Sequence, residues 1–88
     1  MKYIDAIRMR KGCEYSESLL EISELRISNE WYAKEKIYDF LKLYPKTIAA
    51  NIYPYPYVVP KLSKYGEKYV ASEANSTTQD NLLKLPRK

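Results

Sequence analysis

The stretch LLEISELRI, residues 19–27, decides the fold, because its apolar residues fit two different periods. Leu19, Ile22 and Arg26 stand at helical spacing, with Ser18 and Glu21 placed as a capping box. Leu20 with Ile22, and Leu25 with Ile27, fit two halves of a strand separated by a bulge. Intrinsic propensity favours the helix. A strand here supplies a hairpin partner for residues 2–10, which is the economical arrangement in a small domain, and this is the reading adopted.

Outward to the N-terminus, KYIDAIRMR (residues 2–10) alternates imperfectly. Tyr3, Ile7 and Met9 share one face with Asp5, while Ile4 and Ala6 share the other with Arg8 and Arg10, which predicts a strand. Gly12 punctuates it, and KGCEYSES forms the connecting loop.

Outward to the C-terminus, residues 28–44 read as a helix. Ser28 or Asn29 caps the first turn, Glu30 complements the dipole, and Pro45 stops the run. Ala33, Ile37, Phe40, Leu41 and Tyr44 form its buried stripe, with Lys34, Glu35, Lys36, Asp39 and Lys42 mostly off it. TIAANIY then turns Ile48, Ala50 and Ile52 inward as a strand. VVPKLSKYGEKYVAS reads as two strands around Lys64-Tyr65-Gly66, with Gly66 taking the positive φ of a tight turn. A polar turn and an apolar cluster close the chain.

NIYPYPYVVP, residues 51–60, places Pro54, Pro56 and Pro60 at even positions and Tyr53, Tyr55 and Tyr57 at odd ones. In an extended strand the three missing N–H groups lie along one edge, so residues 52–61 are expected to form an edge strand that cannot recruit another chain. The same geometry lines the three tyrosines on one face. With Arg8, Arg10, Lys61, Lys64 and Lys68, such a row could stack bases while the cations meet phosphates.

The 88 residues form one domain, and so short a chain buries only about 60–65% of its unfolded surface. A single cysteine, Cys13, excludes an intrachain disulfide, and the absence of a leader-like or membrane-spanning apolar run predicts a cytoplasmic protein with no membrane partner. The net charge is +4, yet residues 14–30 hold five Glu against one Arg, so the remainder carries +8. That asymmetry suits an anionic partner or an acidic stretch lying against a basic sheet.

There is no histidine, which removes His-based general base catalysis, Ser-His triads and most zinc geometries. Gly12 and Gly66 stand alone and build no phosphate cradle. The expectation is a protein with no catalytic residues, no metal and no cofactor.

From Gly66 to Pro86 the chain reads GEKYVASEANSTTQDNLLKLP. This resembles the closing signature of the small bacterial proteins grouped as domain-of-unknown-function family 3892: a glycine, a Tyr-hydrophobic-Arg-Thr strand, a polar turn, then Asp-Asn-Leu-Leu-x-Leu-Pro. Gly66, Tyr69, Val70, Asp80, Asn81, Leu82, Leu83, Leu85 and Pro86 match it, whereas Ala71 and Ser72 stand where Arg and Thr are usual. The looser upstream match implies a strand over residues 19–27. Physically, Asp80 and Asn81 can fix a turn through backbone amides, after which Leu82, Leu83 and Leu85 dock and Pro86 ends the segment.

The expected fold is therefore α+β in the order β-β-α-β-β-β, with one antiparallel or mixed sheet and the helix on one face. The expected function is that of a non-enzymatic binding module for a protein partner, through the Tyr-rich strip or the open sheet face, with a homodimer among the options. Single-stranded nucleic acid is the alternative partner, and salt dependence separates the two.

Overall fold

A computed structural model describes residues 1–73 and 80–88. LLEISELRI divides: Leu19–Glu21 is a single 3-10 turn, and Ile22–Ile27 is strand β2. Ser18 precedes the turn without capping it through its side chain. β2 pairs antiparallel with β1 (Lys2–Met9), as the hairpin argument expects.

Two bulges make this pair workable. Arg8 lies opposite Glu24 and Met9 opposite Ile22, so Ser23 is the extra residue, and its hydroxyl donates to the Arg8 carbonyl at 3.0 Å. The inserted residue reverses the alternation, which lets Ile22, Leu25 and Ile27 all face the core despite their mixed parity. Asp5 is the corresponding insertion in β1, between the pairs Ile4–Ile27 and Ala6–Arg26. Ile4 therefore joins Ile7 and Met9 inside, not Ala6 and Arg8 on the opposite face as simple alternation suggests.

Ser28 and Asn29 do not cap a helix. Both have positive φ, 53° and 65°, and form the two-residue turn of a hairpin in which Ile27 pairs with Glu30. Strand β3 (Glu30–Ala33) follows, an element the helical reading of residues 28–44 concealed. The helix α1 is Lys34–Leu43, closed by the Tyr44 N–H donating to the Phe40 carbonyl. Its buried residues are Lys34, Ile37, Tyr38 and Leu41, whereas Tyr44 is 55% exposed. Lys34, expected on the solvated side, is thus the one charge the helix takes inside.

β4 (Ile48–Ala50) runs parallel to β1, giving a mixed sheet in the order β3-β2-β1-β4. β5 (Val58–Leu62) and β6 (Lys68–Ser72) form a separate antiparallel hairpin. Its turn has Gly66 at φ +83°, and the Ser63 hydroxyl accepts from the Tyr65 and Glu67 amides. α1 packs between this hairpin and the inner face of the sheet, and Val58 and Val70 join Ile37 and Leu41 in one core. Each such fully buried side chain contributes about 1.5–3 kcal/mol.

The Tyr-Pro stretch is not an edge strand. Residues Ile52 to Tyr55 form a turn closed by the Tyr55 amide donating to the Ile52 carbonyl at 2.7 Å, with Pro54 cis at its third position. Tyr55 has φ 59°, so the three tyrosines do not share a strand face. Pro56 uses its carbonyl to accept from Ala50, and Tyr57 bridges Ala49, joining the two sheets. Only Pro60 lies within a strand.

The C-terminus completes the edge of β1 beyond β4. The Ile7 amide donates to the Pro86 carbonyl at 2.9 Å and the Lys88 amide to the Ile7 carbonyl at 3.0 Å. Leu82 and Leu83, within a 3-10 turn over Asn81–Lys84, and Leu85 just after it are buried. The Asp80 carboxylate accepts from the Leu82 amide at 2.9 Å and from the Ser72 amide at 3.1 Å, tying the turn to β6. The expected polar turn over Asn75 to Gln79 lies outside the described residues. The fold is α+β in the anticipated order, with β3 added.

Candidate functional site

The outer face of the sheet, turned away from α1, is built by alternation. Arg8 lies between the buried Ile7 and Met9, and Arg26 between the buried Leu25 and Ile27, so both guanidinium groups emerge on this face. Trp31 pairs with Arg26 across β2 and β3 and shares that side. The Arg8 guanidinium lies 4.0 Å from the Trp31 ring centroid and the Arg26 guanidinium 5.8 Å. Each arginine also holds a carboxylate at 2.9 Å, Arg8 that of Glu24 and Arg26 that of Asp5. These pairs leave the face close to neutral around its tryptophan.

At the β4 end of the same face Tyr3 points outward beside Ala49. The Tyr-Pro turn brings Tyr55 edge-on to Tyr3, with centroids 6.3 Å apart, and Tyr53 edge-on to Tyr55 at 6.2 Å. This is the edge-to-face packing that the ring quadrupole favours. Tyr3, Tyr55 and Tyr53 are nevertheless 43%, 52% and 81% exposed, a concentration of aromatic surface that the fold leaves uncovered.

The eight residues singled out in the sequence do not converge. Tyr53 and Tyr55 meet, but their ring partner is Tyr3, while Tyr57 is half-buried at the junction of the sheets. Arg8 stacks on Trp31. Arg10 pairs with Glu67 and Glu21, and Lys68 with Asp39, near the β5–β6 hairpin where exposed Lys61 and Lys64 also lie. Trp31 escaped the sequence reading because its strand was absorbed into the helix. Ser28-Asn29 between two runs rich in apolar and aromatic residues was the signal that could have exposed it.

Beside the hairpin, the Lys34 ammonium donates to the Leu20 carbonyl at 2.7 Å and to the Glu67 carboxylate. The hydrogen bond from Lys34 is the main reason the Glu67 carboxyl is held below its ordinary range, with Arg10 adding to it and desolvation opposing. At Cys13, the hydrogen bond with the Glu21 carboxylate pushes the thiol pKa up, favouring the neutral form over the nucleophilic thiolate. Among the described residues no group of three or more Cys, Asp or Glu is placed to hold a metal ion, and no helix is long and apolar enough to cross a membrane.

No curated protein and no solved structure matches the chain. The family described as a protein of unknown function (DUF3892) matches residues 2–86, nearly the whole chain, and the protein belongs to that family.

Proposed function

We propose that this protein is a non-enzymatic binding module that engages a protein partner through the outer face of its four-stranded sheet. The observation that carries this reading is the exposed Tyr3, Tyr55 and Tyr53 cluster. Tyrosine, tryptophan and arginine dominate the energetics of protein interfaces because they bring large, partly rigid surface with a polar handle. The Trp31 stack with Arg8 and Arg26 supplies the other two residue types on the same face.

Charge argues for protein over polyanion here. Arg8 and Arg26 are each matched by a carboxylate, so approaching phosphates would meet Glu24 and Asp5 as well as the arginines. A neutral aromatic face with a charged rim suits a partner of similar character.

The test compares wild type with Tyr53→Ala/Tyr55→Ala as bait in extract of the source cells, followed by calorimetry with the purified captured protein. Both substituted rings are at least half exposed, so the variant is expected to melt like wild type. Loss of about 2 kcal/mol or more of binding energy, with a negative heat-capacity change for the wild-type complex, supports the reading. Equal affinity for both proteins sinks it. A purified wild type that captures only itself makes the partner a second copy.

A further inference from the structure

A second surface lies on the other side of the molecule, where the starts of β1 and β4 meet α1. Two adjoining grooves there, of about 580 and 260 Å³, share Lys2 and Phe40 in their walls. The first continues along Tyr44 and Lys46, and the second along Tyr32 and Lys36. No carboxylate lines either groove. Arg8, Arg10, Arg26, Lys34 and Lys68, on the outer face and near the hairpin, are matched by Asp or Glu, whereas Lys61 and Lys64 on the hairpin are exposed without an ion pair among the described residues but line neither groove. Among the described residues Lys2, Lys36 and Lys46 form no ion pair, and all three are exposed.

The floor between them is aromatic. Phe40 and Tyr44 lie with centroids 5.1 Å apart and planes tilted by 43°, and the Lys2 ammonium stands 5.0 Å from the Phe40 centroid. Tyr44 keeps 55% of its surface exposed. The three acids of β3 and α1, Glu30, Glu35 and Asp39, line neither groove, and Glu35 forms no ion pair among the described residues. Glu30 accepts from the Tyr32 hydroxyl at 2.7 Å at the β3 end, and Asp39, on the same helix, is held by Lys68. The Lys46 and Tyr44 end is therefore the positive, unobstructed one.

We infer that this groove binds single-stranded nucleic acid, a base stacking on Tyr44 and Phe40 while phosphates lie against Lys2, Lys36 and Lys46. A base needs only one aromatic face, which an open groove offers, whereas an acyl chain needs enclosure that this groove lacks. The site is separate from the outer sheet face, and its test separates the two.

The experiment is fluorescence anisotropy of labelled oligouridylate and oligothymidylate of about 12 nucleotides, titrated with wild type, Lys36→Gln/Lys46→Gln, Tyr44→Ala and Tyr53→Ala/Tyr55→Ala. Three phosphate contacts on a single strand give a salt slope of about −2, so affinity falls about 20-fold between about 50 and 200 mM salt. With two lysines removed that fall shrinks to about 3-fold. Tyr44→Ala weakens binding about tenfold, as for one lost stacking partner, and the Tyr53/Tyr55 variant binds like wild type. Thermal melts confirm that each variant is folded; these positions are exposed, and Tyr44→Phe, which keeps the ring, retains binding. Absence of binding at low salt overturns the inference, as does binding that groove variants leave intact or that salt does not weaken.

Discussion

The ammonium of Lys34, on a side chain only 2% exposed, bonds to the Glu67 carboxylate and to the carbonyl of Leu20, joining the start of α1 to the β5–β6 turn and to the 3-10 turn before β2. One lysine thus holds three separate elements by their polar groups. The arrangement satisfies a charge that burial would otherwise penalise heavily.

Replacing Lys34 by Met keeps the volume and removes the donor. The Leu20 carbonyl then loses its partner, which costs about 1–3 kcal/mol. Urea unfolding should show a lower midpoint at unchanged slope. An unchanged midpoint would mean that water replaces the ammonium without loss.

Acid should weaken the same contact. Because the folded-state pKa of Glu67 is depressed, its stabilising contribution is fully present above the unfolded glutamate value, about 4.3, and disappears as pH falls through the lower folded value. Melting temperatures of wild type and Glu67→Gln should therefore converge as pH drops below about 4. Parallel pH profiles for the two proteins would contradict this linkage.

Leu83 is 6% exposed and sits in the core cluster, whereas Leu62 is 56% exposed. Leu83→Ala should cost about 2–5 kcal/mol and Leu62→Ala less than about 0.5 kcal/mol. In a domain with only about 5 kcal/mol of stability, the first variant stands near the unfolding threshold at room temperature. Chemical denaturation of the pair measures the difference directly.

Ser28 holds φ at 53° with an ordinary side chain. A left-handed conformation costs about 1–2 kcal/mol, and glycine gives back about 0.5–1 kcal/mol through its freer unfolded state. Ser28→Gly should therefore stabilise the β2–β3 hairpin by about 0.5–1 kcal/mol, read as a higher melting temperature. Destabilisation would show that the serine side chain contributes a contact of its own.

What could be read from residues alone was local and periodic. Ile37 and Leu41 at helical spacing, Ile48 and Ala50 at strand spacing, and Gly66 between two strands each point to the element found there. The paired period of residues 19–27 was also informative, since the segment holds both a 3-10 turn and a strand. Nothing local marks Asp5 or Ser23 as an inserted residue, because a bulge exists only relative to the strand opposite.

The sequence by itself determined the α+β class and the absence of histidine chemistry, but not every element, since β3 lay hidden in a helical period and the Tyr-Pro stretch forms a turn rather than a strand. Only the tertiary structure decided which charges are free. Arg8 and Lys68 look like phosphate ligands in the chain, yet Glu24 and Asp39, 16 and 29 residues away, claim them. Lys2, Lys36 and Lys46 look unremarkable in the chain, yet the packing of α1 beside β1 and β4 gathers them at one groove. A cation's availability depends on the carboxylates within a few ångströms of it, and those distances are created by strand pairing and helix packing.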